Sequence, residues 1–124
     1  MAILPLVIAP DPRLEVCSEK VDIVDDKLRK FMDDMLETMY HQGGIGLAAV
    51  QVGVHKRILV MDLSDETGRY EGNEVDEKLK KPIFMVNPEI IEESDEQNIY
   101  EEGCLSFPGQ RAKVVRPKQV KVKY

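Results

Sequence analysis

The segment from residue 24 to residue 40 constrains the fold most, because its apolar side chains recur at helical spacing. Charged residues fill most of the opposite side, as in an amphipathic helix that covers a core. Asp25 or Asp26 can cap its start, and Gly43 with Gly44 can end it. The apolar positions are Val24, Leu28, Phe31, Met32, Met35, Leu36 and Met39. The pattern predicts one helix with methionine-rich packing.

The other apolar segments are short and typical of strands. We expect an edge strand at residues 3 to 8, a buried strand at 57 to 63, and extended segments at 83 to 86 and 89 to 93. Residues 114 to 115 and 120 to 124 are expected to pair with each other around Arg116-Pro117. Residues 64 to 81 are polar and acidic and indicate a hairpin loop or a mobile excursion. These elements predict an α+β fold, with antiparallel strands packed against one N-terminal helix.

Composition narrows the class of protein. The chain has 124 residues, of which 43% are hydrophobic and 32% charged, as in a globular domain. A net charge of −6 argues against a nucleic-acid groove, which needs clustered Lys and Arg. No apolar run approaches the ~20 residues of a membrane span, and the first ten residues do not resemble a signal peptide. Two cysteines distant in sequence make no disulfide framework. We expect one domain over residues 1 to 124, located in the cytoplasm.

A cysteine within a turn-forming segment is the first candidate for chemistry. Residues 101 to 109 read Glu-Glu-Gly-Cys-Leu-Ser-Phe-Pro-Gly and centre on Cys104. A lone cysteine is more often a small buried hydrophobic residue. It can also be a metal ligand, or a nucleophile with His41 or His55 as its base.

A glycine-rich segment upstream is the second candidate. Residues 44 to 49 match G-x-G-x-x-A, but a helix rather than a strand precedes the glycines, which argues against a dinucleotide site. The small residues instead allow a peptide to pair alongside as an added strand. Gln51 offers an amide that could polarise a carbonyl or hold an oxyanion. The alternative is an internal strand with the Gln51 amide bonded to backbone.

Together the two segments resemble the peptide deformylases. Residues 44 to 51, Gly-Ile-Gly-Leu-Ala-Ala-Val-Gln, look like the first family signature, G-x-G-x-A-A-x-Q, and residues 102 to 106 look like the second, E-G-C-L-S. The resemblance implies an enzyme that hydrolyses the N-formyl group from the initiator methionine of new polypeptides in bacteria or organelles. It also implies one divalent metal ion, usually Fe(II), with Zn, Ni or Co as possible replacements.

The resemblance also assigns roles to residues. It makes Cys104 a metal ligand, and it gives the Gln51 side chain and the Leu105 backbone N–H the role of holding the formyl oxygen as it becomes an oxyanion. It implies a substrate cleft at Gly44, Ile45, Gly46, Gly103 and Arg111. For Arg111, a surface salt bridge is an equal alternative. The implied partners are N-formylmethionyl nascent peptides and, transiently, the ribosome.

One family signature is missing from the sequence. The helix that carries H-E-x-x-H supplies two histidine ligands and the catalytic glutamate in the family, and neither His41 nor His55 matches those positions. The resemblance therefore predicts an incomplete domain without the family's central C-terminal helix and without activity of its own. Exposed apolar faces at 57 to 63 and 120 to 124 would favour self-association. The alternative function is a non-catalytic module that binds polypeptide N-termini.

Overall fold

The helix lies where its periodicity predicts it. The structure, a computed structural model, describes residues 2–63 and 81–124. Helix α1 spans Asp26–His41, and Asp25 is its cap, accepting a hydrogen bond of 2.9 Å from the backbone N–H of Leu28. The helix ends before Gly43, whose φ of 71° is a left-handed conformation that suits glycine. The predicted helix is confirmed, with a start two residues later than the apolar pattern indicated.

The helix packs on a three-stranded antiparallel sheet. Strands β1 (Gly46–Ala48), β2 (Ile58–Met61) and β3 (Ile83–Val86) lie in the order β1-β2-β3. Met35 and Met39 are completely buried, and they belong to the same core cluster as Ile58 and Val60. The expectation that the apolar face at 57 to 63 lacks a cover is therefore wrong, because the methionines of α1 cover it.

The remaining strands form two separate pairs. Strand β4 (Glu89–Glu93) pairs with β7 (Val120–Lys123), and β5 (Gln97–Cys104) pairs with β6 (Phe107–Pro117). The prediction that residues 114 to 115 pair with 120 to 124 is wrong. Strand β6 runs unbroken to Pro117, which is the last residue of the strand and pairs with Gln97. Proline has no backbone N–H to donate, and this is tolerated at the end of a strand.

The N-terminal segment is not the edge strand that we predicted. Its backbone donors are taken by side chains and by a distant carbonyl. Ala2 N–H donates to Asp34 Oδ1 at 2.8 Å, Leu4 N–H to Thr38 Oγ1 at 2.8 Å, and Val7 N–H to the Gln51 carbonyl at 2.7 Å. Residues 2 to 8 therefore lie across α1 and the 3-10 helix Ala49–Val52 without joining a sheet.

Apolar side chains remain exposed on the two-stranded pairs. Val120 is 50% exposed and Tyr124 is 66% exposed, so the expected uncovered face at 120 to 124 is confirmed. The prediction for the acidic segment concerns residues 64 to 81, all of which except Lys81 lie outside the described residues. Among the helices of the described part, none has the length and apolar character needed to cross a membrane.

Candidate functional site

Gln51 presents its amide nitrogen toward the cysteine segment. It lies on the 3-10 helix Ala49–Val52, which ends at Gly53 with a φ of 82°. Its Oε1 accepts a bond of 3.0 Å from the backbone N–H of Ala48. Its Nε2 donates to Cys104 Sγ at 3.4 Å and to Ser106 Oγ at 3.3 Å. The oxygen is thus satisfied by backbone, whereas the nitrogen faces the thiol.

Cys104 is an exposed free thiol at the end of β5. A register shift follows Gly103, so that Cys104 pairs with Phe107 across a tight connection of Leu105 and Ser106. Cys104 is therefore not a buried hydrophobic residue, which is the more common environment of a lone cysteine. His55 Nε2 contacts the Arg13 carbonyl oxygen at 3.1 Å, and His41 is exposed at the end of α1. The structure therefore does not bring a histidine base to this thiol within the described residues.

Ser106 is a site residue that the sequence reasoning missed. Its side chain is 1% exposed, and its Oγ accepts the hydrogen bond from Gln51. Its carbonyl accepts a bond of 2.9 Å from Ala9 N–H, which ties the cysteine segment to the N-terminal segment. The sequence feature that could have identified Ser106 as a site residue is its position at the end of the E-G-C-L-S motif. A buried hydroxyl of this kind fixes the rotation of the Gln51 amide.

The two signature segments meet at Gly44 and Leu105. Gly44 is buried, and a Cβ atom placed on it would lie 2.7 Å from Leu105 Cδ1 and 3.2 Å from Leu105 Cγ. A larger residue at position 44 would require the Leu105 side chain to move. Gly44 therefore lets the leucine pack directly against the backbone just before β1.

Strand β1 offers an open edge next to these groups. In the described part of the chain, β1 pairs only with β2, and Asp62 N–H donates to the Ile45 carbonyl at 2.9 Å. Because antiparallel partners alternate between bonded and non-bonded pairs, Gly46 directs its N–H and C=O to the open side. Ile45 is 38% exposed beside it. This edge can accept an extended peptide as an added strand.

Gly103 and Arg111 face each other across β5 and β6. They are register partners, and a Cβ on Gly103 would meet Arg111 Cγ at 3.6 Å. The aliphatic part of Arg111 therefore covers Gly103, next to Cys104. The alternative of a surface salt bridge is not observed, since Arg111 makes no ion pair with any carboxylate of the described residues.

The carboxylate nearest the thiol in sequence is already paired. Glu102 accepts two hydrogen bonds from Arg116, of 2.6 Å to Nε and 2.8 Å to Nη2. These hydrogen bonds lower the pKa of Glu102 and raise the pKa of Arg116. Both carboxylate oxygens of Glu102 are thus engaged by Arg116.

The residues present do not fit a complete metal centre. Within residues 2–63 and 81–124, no group of three or more His, Cys, Asp or Glu side chains could hold a metal ion. Catalytic sites for zinc-type metals use about three protein ligands, and this site supplies one thiolate. Cys104 is placed as a possible ligand, and the described residues provide it with no second.

The open edge of β1, the Gln51 amide and the Cys104 thiol lie next to one another, on an α+β frame of α1 and antiparallel strands. Groups of this kind can bind an extended peptide and polarise a carbonyl group.

Comparison with known proteins identifies the family. The polypeptide deformylase family model matches residues 3–124. The chain is 53% identical over 124 residues to a peptide deformylase of Rickettsia akari, covering all of this chain and 68% of that protein. A crystal structure of peptide deformylase from Ehrlichia chaffeensis is similar with a TM-score of 0.86 and 47% identity, over 99% of this chain and 68% of that one. That of Thermotoga maritima has a TM-score of 0.84 and 39% identity, over 100% and 74%.

The chain belongs to the peptide deformylase family. Members of this family are metal-dependent hydrolases. The predicted fold class is confirmed by the solved structures of the family. This chain spans about two thirds of the Rickettsia akari and Ehrlichia chaffeensis proteins and 74% of the Thermotoga maritima chain.

Proposed function

We propose that this chain takes part in hydrolysis of the N-formyl group from the initiator methionine of nascent polypeptides. The single observation that carries the proposal is the Gln51 amide nitrogen, which lies 3.4 Å from Cys104 Sγ beside the open edge of β1. This arrangement combines a carbonyl-polarising donor, a candidate metal ligand and a surface for extended peptide. Family membership supports the same reaction class.

The substrate backbone would bind along β1. Gly46 directs its main-chain N–H and C=O to the open side, and with no side chain it lets another backbone approach. Ile45 would line the pocket for the methionine side chain, and Gly44, packed against Leu105, would let that residue lie close to the cleft. On the other side of the cleft, Gly103 and Arg111 would meet the substrate backbone.

The formyl oxygen would lie between two donors. Gln51 Nε2 and the backbone N–H of Leu105 would stabilise the negative charge that develops on this oxygen when water adds to the formyl carbon. The C–N bond then breaks, formate leaves, and the polypeptide keeps a free amino terminus. Removing one such donor costs about 3–4 kcal/mol of transition-state stabilisation in other enzymes. Ser106 supports this role because it holds the Gln51 nitrogen in one orientation.

The described residues do not supply a complete set of ligands for the metal ion that the reaction requires. We propose that Cys104 is one ligand of a divalent ion, Fe(II) by family resemblance, because a thiolate binds such ions strongly. With one ligand among the described residues, the 124-residue chain is expected to bind formylated peptides without hydrolysing them.

The second candidate function, a non-catalytic module for polypeptide N-termini, has the same observation in its favour. An open strand edge and a carbonyl donor suffice for binding, and neither needs a metal. In both functions the partner is a nascent peptide, met transiently at the ribosome in a bacterial cytoplasm or an organelle. Exposed apolar side chains on β4 and β7 would favour self-association at high concentration.

Parallel assays of binding and turnover test the proposal. The purified chain, incubated anaerobically with Fe(II), is titrated with N-formyl-Met-Ala-Ser, and formate is measured in the same samples. We expect saturable binding without formate. Formate release that disappears in Cys104→Ala would show that the chain is itself a hydrolase. A flat titration, with the folded state verified by circular dichroism, would remove both functions.

A further inference from the structure

Asp62 is a fully buried carboxylate that the proposed reaction does not use. It follows β2 directly, and its exposed fraction is 0%. Burying an ionised carboxylate is costly unless hydrogen bonds replace those of water. The contacts of Asp62 therefore indicate why an aspartate occupies this position.

The carboxylate of Asp62 joins two separate elements. Its Oδ2 accepts a hydrogen bond from Tyr40 Oη, which lies in the last turn of α1. The same oxygen accepts a bond of 3.0 Å from the backbone N–H of Lys81, just before β3 begins. One buried oxygen thus holds the end of the helix and the start of β3 at the same point.

The backbone of Asp62 joins a third element, the substrate edge. Its N–H donates to the Ile45 carbonyl at 2.9 Å, which extends the β1–β2 ladder one pair beyond Gly46 and Met61. Between α1 and Ile45 the chain passes through Gly43 and Gly44, whose N–H groups donate to the Tyr40 and Met39 carbonyls at 3.1 and 2.9 Å. The bond from Asp62 joins the next residue, Ile45, to the end of β2.

We propose that Asp62 is a positioning residue for the peptide-binding edge at Ile45 and Gly46. Its carboxylate fixes its own backbone against α1 and β3, and its N–H then holds Ile45 in strand geometry before substrate arrives. An edge that is already ordered loses less conformational freedom when a peptide strand is added, which favours binding. This inference rests on the proposed function for the role of the edge and adds the residue that orders it.

Amide hydrogen exchange on the free chain tests the ordering without requiring peptide or metal. Three variants are compared with the wild type. Asp62→Asn removes the charge and keeps the shape, Tyr40→Phe removes one donor, and Asp34→Asn is the matched control. Asp34 is also a buried aspartate, but it bonds Ala2 and Lys30 and contacts no part of β1 by hydrogen bonds.

The Leu47 amide, which pairs with Val60, reports on the order of β1, and the amide of Met35 in α1 serves as the reference for opening of the whole chain. After correction for the Met35 rate, we expect the Leu47 amide to exchange about tenfold faster in the Asp62 and Tyr40 variants than in the wild type. In Asp34→Asn the corrected rate should equal that of the wild type. Equal corrected rates in Tyr40→Phe and wild type would overturn the inference. That comparison decides the matter even if the Asp62 variant fails to fold.

A titration with N-formyl-Met-Ala-Ser extends the test to binding. At temperatures where each variant is equally folded, Asp62→Asn and Tyr40→Phe should bind the peptide about tenfold more weakly, and Asp34→Asn should bind as the wild type does. A purely structural residue would weaken binding only by unfolding the chain, so unchanged affinity at matched folding would contradict the positioning role. If the wild type itself binds no peptide, the proposed function fails, while the exchange rates still report whether Asp62 orders the edge.

Discussion

Replacing Gly44 with alanine should displace the Leu105 turn. The new Cβ would lie 2.7 Å from Leu105 Cδ1, whereas carbon atoms in contact prefer roughly 3.5–4.0 Å. The leucine must therefore move by about 1 Å. Overpacking of this kind typically costs about 1–3 kcal/mol. Alanine in place of glycine also restricts the unfolded chain, which returns about 0.4–1 kcal/mol. The free energy of unfolding should fall by about 1 kcal/mol, in the lower half of this balance, because a leucine tip is flexible.

The displacement should affect peptide binding as well as stability. If the Leu105 N–H loses its bond to the formyl oxygen, about 1 kcal/mol is lost, and affinity for N-formyl-Met-Ala-Ser falls about fivefold. Urea unfolding and calorimetric titration measure the two effects. Gly43→Ala is the control. Gly43 has a φ of 71°, and an added Cβ would have no atom within 4 Å, so that variant strains the backbone without pushing on Leu105.

A double-mutant cycle decides whether the clash is the cause. Leu105→Ala removes the atoms that the new Cβ meets, so Gly44→Ala should cost little stability in that background. The coupling energy should exceed about 0.5 kcal/mol, the value above which neighbouring residues are taken to interact. Additive effects of the two substitutions would refute the steric reasoning.

Three further predictions concern acid stability, the core and the site. The pKa of Asp34 lies below its ordinary value of 3.8, because the backbone N–H of Ala2 and the Lys30 side chain donate hydrogen bonds to its carboxylate. The ionised carboxylate therefore stabilises the fold above pH 3.8, and this stabilisation is lost as the pH falls through the lower pKa of the folded state. Asp34→Asn should reduce the fall in the urea midpoint below about pH 4. Met35→Ala empties a site that is 0% exposed and should lower the free energy of unfolding by about 2–5 kcal/mol in urea, whereas Ile90→Ala, 58% exposed, should change it by less than about 0.5 kcal/mol. Ser106→Ala removes a partner of the Gln51 nitrogen and should broaden the Gln51 side-chain amide signals in NMR spectra; sharp, unshifted signals would show that the serine does not orient the amide.

The sequence predicted those elements whose signals are local. The helical period of the methionines identified α1, and the apolar run stopped by Asn87-Pro88 identified β3. The cap could also be predicted to within one residue, as Asp25 or Asp26, because capping depends on residues within one turn, and the structure shows Asp25 in this role. The two motifs likewise identified Gln51 and Cys104, which the structure brings within hydrogen-bonding distance.

The errors concern contacts between residues far apart in the chain. Nothing near the N-terminus shows that Asp34 and Thr38 take its backbone donors, so residues 2 to 8 were expected to form a strand. Apolar and polar residues alternate along β6 and β7 as they would in a hairpin. Each strand nevertheless pairs with a different partner, because the choice of partner depends on the whole fold. Ser106 was missed for a similar reason, since its role depends on burial beneath Gln51.

The most direct test of peptide binding at this site is a titration of the ¹⁵N-labelled chain with N-formyl-Met-Ala-Ser, followed by NMR. We expect saturable shifts of the Gly46 and Leu105 amides and of the Gln51 side-chain amide, with the equivalent unformylated peptide leaving the Gln51 signal in place. No shifts at these three groups, or identical shifts with both peptides, would contradict the claim that this site holds the formylated end of a polypeptide.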